Sequence, residues 1–203
     1  MTSLDFDELH RLVDASLRVE TEDELIETVR GLLRNAYERA VSDVGEEFEF
    51  IYLYYPEMLG IAMEKETEGL TWEQRIRSWY HGKNPNTTES PSREPTESPS
   101  RETGEPDTEA IQRVVETEYH RMYNTGAYDT ASAINESGRK IYKRWVTMGD
   151  EKVRTAHQYL EGDVVELGEE FYTWDGDSAL FPGDFSNPAY NVNCRCILEY
   201  ETA

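Results

Sequence analysis

Only two cysteines occur in the 203 residues, Cys194 and Cys196, so no disulfide framework holds this chain together. Lysine is scarce as well: Lys65, Lys83, Lys140, Lys143 and Lys152 stand against 15 arginines. No apolar run approaches the ~20 residues that a bilayer-crossing helix needs, which argues against any membrane insertion. The opening MTSLDFDELHRLV has neither a basic leader nor a small-residue cleavage site, so no secretory signal is expected. The largest deficit is in positive charge, with 20 basic against 42 acidic residues and a net charge of −22. Such a surface repels phosphate and argues against broad DNA binding. Acid excess with little lysine suits concentrated salt, where screening removes self-repulsion, so stability is expected to rise with salt.

What is present is organised unevenly. Hydrophobic residues make up 37% and charged residues 31%, so part of the chain must be solvated surface or unstructured. TESPSREP, starting at Thr88, is followed directly by TESPSRET at Thr96. This Pro, Ser, Thr and Glu-rich run, residues 83–106, has no apolar side chains to offset the entropy of ordering and reads as a flexible linker. It separates a unit at 1–82 from a unit at 107–203.

The first unit reads as helical. Leu9, Leu12, Val13 and Leu17 share one helix face. Thr21 with Glu24 forms a capping-box pattern, after which Leu25, Val29, Leu32, Leu33, Ala36, Tyr37, Ala40 and Val41 keep one face for five turns. FEFIYLYYPEM suits a strand by its aromatic content, or a helix opened by Pro56. Thr71 with Gln74 caps WEQRIRSWYHG, which Gly82 can stop.

The second unit reads as helices followed by strands, a small α+β domain. Ile111, Val114, Val115, Glu118, Tyr119 and Met122 follow the helical period, with Gly126 as the expected terminator and a short helix from Asp129 to Ser137 after it. RKIYKRWVTM, VVEL and CILEY read as strands. Asp150 is the expected cap of a helix through EKVRTAHQYL, ending at Gly162. Spacing i, i+4, i+7 then puts Asp150, Arg154 and His157 on one helix face, with Asp150 attracting Arg154.

The chemistry-bearing residues come late and in a particular order: Trp145, Asp150, Arg154, His157, Leu160, Gly162, Phe171, Pro182, and then Asn193-Cys194-Arg195-Cys196. This order resembles the C-terminal domain of the phage Mu F-like head morphogenesis proteins, in which a Trp precedes an Asp, Arg and His, then LxG, a Phe, a Pro-containing loop and a closing NCRC. The resemblance covers roughly residues 108–200. It implies a virion component that attaches to the portal, with the portal protein as partner and the major capsid protein as a second. It places the protein at the portal vertex of the capsid, after assembly in the host cytoplasm, helping head assembly, genome packaging or delivery. The acidic composition adds the expectation of a salt-adapted host. Neither an enzymatic activity nor a cofactor is implied.

Two enzymatic alternatives remain to be weighed. Mu F-like domains also occur in chains that carry toxin domains, and an arginine-modifying ADP-ribosyltransferase places two glutamates one residue apart on a strand. Glu199-Tyr200-Glu201 has that form, but so does Glu47-Phe48-Glu49, as expected where acids are so frequent. A nucleophile pairing Cys194 or Cys196 with His157 would need an exposed, electropositive site.

For the cysteines themselves the preferred role is packing. In a strand, alternate residues share a face with Cα atoms ~6.6 Å apart, the upper limit of disulfide geometry. Both thiols would then face inward beside Ile141 and Trp145, with Arg195 outward and available to Asp150, and Asn193 turning the loop. The alternative is zinc, with Cys194, Cys196 and His157 as ligands and Asp150 as a fourth.

Overall fold

The computed structural model describes residues 6–19, 21–51, 56–65, 70–82 and 106–203. The tandem repeat, and with it nearly all of the expected linker, lies outside the described residues, as do Tyr52, Leu53, Tyr54 and Tyr55 of the ambiguous aromatic stretch. The fold is α+β: helices come first, and a small antiparallel sheet closes the chain.

Four helices precede the repeat: α1 (Phe6–Ser16), α2 (Glu22–Glu47), α3 (Pro56–Glu64) and α4 (Trp72–Tyr80). Thr21 and Thr71 both cap as their spacing predicts. The Thr21 hydroxyl accepts from Glu24 N–H at 3.3 Å, and the Thr71 hydroxyl accepts from Gln74 N–H at 3.3 Å. In each case the third helical residue bonds back to the threonine N–H, completing the box. Pro56 opens α3, where its missing N–H costs nothing.

After the repeat comes one long helix, α5 (Thr108–Glu136), capped by the Asp107 carboxylate on Ala110 N–H at 3.1 Å. The expected break at Gly126 does not occur. A Cβ on Gly126 would lie 2.6 Å from the Tyr37 carbonyl oxygen. This glycine therefore lets the α5 backbone press against α2 rather than end a helix. Two polar contacts flank the approach, Tyr37 hydroxyl to Asp129 at 2.6 Å and Tyr123 hydroxyl to Asp43 at 2.8 Å.

The helices on the two sides of the repeat share one buried core. Val29, Leu33, Ala36 and Tyr37 of α2 belong to the same cluster as Val115, Tyr119 and Met122 of α5 and Ile141 and Trp145 of the sheet. The repeat also leaves and re-enters the fold at one place, because Asp107 N–H donates to the Trp79 carbonyl at 3.0 Å. Arg75 of α4 and Arg121 of α5 both bind the buried carboxylate of Glu118, and Arg121 also donates to the Ala62 carbonyl of α3 at 2.9 Å.

The sheet has the order β2-β1-β5, with β1 (Ile141–Val146) central, β2 (Val164–Glu166) and β5 (Ile197–Thr202) at its sides, and all pairs antiparallel. Alternation along β1 buries Ile141, Lys143 and Trp145. Lys143 is fully enclosed, yet its ammonium donates to the Leu180 carbonyl at 2.7 Å and lies 5.1 and 5.2 Å from the Tyr128 and Phe171 ring centres. Burial pushes its pKa down to about 8. A small hairpin, β3 (Phe171–Tyr172) with β4 (Ser178–Ala179), and the short helices α6 (Thr155–Leu160) and α7 (Pro188–Asn191) complete the chain. None of the described helices is long and apolar enough to cross a membrane.

Candidate functional site

The site forms where the chain turns out of α7 into β5. Cys194 N–H returns to the Asn191 carbonyl at 3.1 Å, and Asn193 between them takes a left-handed φ of 55°. Asparagine tolerates that conformation better than most residues. Asn193 N–H is held by the Thr117 hydroxyl of α5 at 3.2 Å. The expected strand CRCILEY is shorter than its sequence suggests, because pairing with β1 starts at Ile197. Cys194 and Cys196 lie just before it. There the Cys196 carbonyl faces the Asn124 amide of α5 at 3.5 Å instead of a ladder partner.

The residues around the cysteines alternate as expected. Both thiols point inward and are buried, while the Arg195 guanidinium reaches Asp150 at 2.6 Å. That hydrogen bond holds the Asp150 carboxyl below its usual range. The expected helix from Asp150 does not form. The Asp150 carboxylate instead accepts the Lys152 N–H two residues on, at 3.0 Å, a local turn that competes with a helix. Helix α6 starts at Thr155, and Arg154 is extended, with φ −63° and ψ 146°. Its side chain does not pair with Asp150 but donates to the Val192 carbonyl. Arg154 and Arg195 thus fasten the 150–154 turn to the cysteine loop from two sides.

Inside this clasp, both sulfurs converge on one nitrogen. Cys194 Sγ lies 3.6 Å and Cys196 Sγ 3.4 Å from His157 Nδ1. These three ligand atoms all lie within 4.8 Å of one another, and all three residues are buried. Asp150 is not with them, so the sequence expectation of a carboxylate as fourth ligand is corrected: its charge is taken up at the surface by Arg195. His157 Nε2 is buried with no hydrogen-bond partner. Its ring stacks on Phe185 at 5.4 Å and meets Trp145 edge-on at 5.8 Å, with Tyr190 at 5.9 Å. The two thiols ionise unequally: their mutual hydrogen bond draws Cys194 down and pushes Cys196 up.

Sequence reading missed His120 and Asn124, four residues apart on α5. Asn124 Nδ2 lies 3.1 Å from His120 Nε2, and burial lowers the His120 pKa. Both are polar residues on the buried face of a helix, a signal that is visible only once that face is known. A cavity of about 670 Å³ lies beside the clasp, lined by Cys194, Asn193, Arg195, Arg154, Lys152 and Thr117 among others. Of the other motif residues, Leu160 and Phe171 are fully buried around Trp145, and Gly162 takes a φ of 79° at the end of α6.

The enzymatic alternatives fare differently. A nucleophile at Cys194 or Cys196 would be enclosed, with relative exposures of 3% each. On β5, Glu199 lies opposite Arg144 and Glu201 opposite Tyr142, and the Arg144 guanidinium binds Glu201 at 3.3 Å. The hollow they line with Glu47 and Tyr200 holds about 140 Å³.

Comparison with known proteins accords with this architecture. The chain is 36% identical over 84 residues to the NAD(+)--arginine ADP-ribosyltransferase EFV of Enterococcus faecalis, covering 41% of this chain and 17% of that protein. It is 29% identical over 86 residues to minor head protein GP7 of Bacillus phage SPP1, covering 41% of this chain and 27% of that protein. The chain therefore spans under a third of either relative's length. No solved structure matches it. The family model described as phage Mu protein F like protein matches residues 64–199, from the end of α3 through the clasp to β5, and the chain belongs to that family of phage head proteins.

Proposed function

We propose that this protein is a minor head protein that attaches at the portal vertex and works by binding, without turnover. Its chief partner is the portal protein and its second the major capsid protein, and it assists head assembly and genome packaging or delivery. The observation that carries this reading is the family match across residues 64–199, which takes in every element of the clasp. The likeness to a minor head protein supports it. A net charge of −22 speaks against a role that wraps DNA and accords with a salt-adapted host.

The second reading, an effector enzyme, is favoured by the ADP-ribosyltransferase match, yet that match covers only 17% of the enzyme. A hollow of about 140 Å³ at Glu199 and Glu201 is smaller than the ~300–1,000 Å³ of ordinary small-molecule sites. Two measurements decide between them. Quantitative mass spectrometry of virions is expected to find the chain at a small fraction of the major capsid protein, and crosslinks are expected to reach the portal. Abundance equal to the capsid protein, or crosslinks confined to the shell, sinks the portal reading. Consumption of NAD by the purified protein, lost on Glu201→Gln, establishes the enzyme.

A further inference from the structure

We propose that Cys194, Cys196 and His157 bind one zinc-class divalent cation, which closes the clasp at the end of the chain. The sequence alone favoured simple packing, and the convergence of the three donors is what changes that. A neutral imidazole offers one lone pair, at one ring nitrogen. Here two sulfurs lie at nearly equal distances, 3.6 and 3.4 Å, from the same Nδ1. A thiol–imidazole hydrogen bond accounts for one of those contacts, and the bond between the two thiols occupies the other thiol without requiring its sulfur to lie against Nδ1. A tetrahedral ion accounts for both. With Zn–S ~2.3 Å and Zn–N ~2.0–2.1 Å, adjacent nitrogen and sulfur ligands lie ~3.5–3.6 Å apart.

The surroundings suit an ion. Two thiolates and a neutral imidazole cancel a divalent charge, so the filled site would be neutral in an apolar box of Trp145, Phe185 and Tyr190. Binding exchanges two thiol protons for the ion and releases them to solvent. The backbone on each side of the ligands is held by Asn193 on Thr117, Arg195 on Asp150 and Arg154 on the Val192 carbonyl. Such outer contacts orient ligands and strengthen a site. Cys194 also lines the cavity beside the clasp. Among the described residues, no fourth His, Cys, Asp or Glu joins the group, so a water or a ligand from that cavity completes the tetrahedron.

The test uses the full chain, purified reduced and with zinc in the growth medium. About one zinc per chain is expected by elemental analysis. After chelation, titration with cobalt(II) is expected to give the sulfur-to-cobalt charge-transfer band and tetrahedral d–d bands, saturating at about one equivalent. About two protons should be released per ion. Cys194→Ser with Cys196→Ser is expected to abolish the charge-transfer band. Should that variant not fold, the wild-type titration decides alone. Folded, reduced wild-type protein that retains only trace zinc and develops no charge-transfer band overturns the proposal, as does a band that persists in a folded double variant.

Discussion

At the scale of the residue, the Glu118 carboxylate is a charge enclosed in the core. It is 2% exposed and is reached by two guanidinium groups from different helices. Burial alone would raise its pKa, but Arg121 and Arg75 outweigh that and hold it below the usual carboxylate range. Replacing it with glutamine leaves two buried arginines without a counter-charge, a loss of roughly 3–5 kcal/mol. Urea titration of Glu118→Gln at neutral pH is expected to show that loss. Because the folded pKa lies below the unfolded value, the contribution is present above about pH 4.5 and declines as pH falls toward the folded value. The gap between variant and wild type should therefore narrow in acid. A gap that stays constant down to pH 3 would mean the carboxylate is not what binds the two arginines. Nothing in the spacing of Ile111, Val115 and Glu118 announced this role; a glutamate on an apolar face is legible as an oddity, with Arg121 one turn on, but its second partner, Arg75, comes from α4, across the repeat.

At the scale of the element, Gly126 decides how α5 is built. Read along the sequence, a glycine after a helical run is a terminator, and the residues after it begin a second helix. The structure instead runs one helix through it, because the carbonyl of Tyr37 occupies the space a side chain would need. Gly126→Ala has two opposed effects. Alanine favours the helix by about 1 kcal/mol over glycine. The clash, at 2.6 Å with a backbone atom, forces the two helices apart and costs about 1–3 kcal/mol or more. The net expectation is a lower melting temperature, with the Tyr37–Asp129 and Tyr123–Asp43 contacts loosened. An unchanged or raised melting temperature would show that α2 and α5 do not meet this closely. The capping boxes at Thr21 and Thr71 were legible in advance for the opposite reason: both partners lie within one turn, so no distant contact can override them.

At the scale of the whole molecule, the repeat segment sets the question of how many moving parts there are. A Pro, Ser and Glu-rich run between two units suggests a tether with separate bodies at its ends. Here the cores are continuous, and Trp79 and Asp107 are hydrogen-bonded to each other where the segment leaves and returns. Limited proteolysis is expected to cut within residues 83–105 first, since the segment's sequence offers no apolar side chains to bury. The two fragments should then stay together on gel filtration under native conditions, held by the α2–α5 and α4–α5 packing. Fragments that separate without denaturant would show two independent bodies, and would restore the reach that the composition suggested.

What the sequence determined by itself was whatever local chemistry settles. That comprises the caps, the apolar faces of α2 and α5, the strand alternation that buries Trp145, and the order from Trp145 to Cys196 that marks the family. The tertiary structure alone decided matters that depend on atoms far apart in the chain. Gly126 is a contact because Tyr37 lies against it, and Arg154 leaves Asp150 because the Val192 carbonyl is available. The sequence offered Cys194, Cys196 and His157 as a set only as an alternative to packing; the turn at Asn193 is what carries both sulfurs to a nitrogen nearly forty residues back. Periodicity reports which way a side chain points; what it meets there is fixed by packing between segments that the sequence does not place side by side.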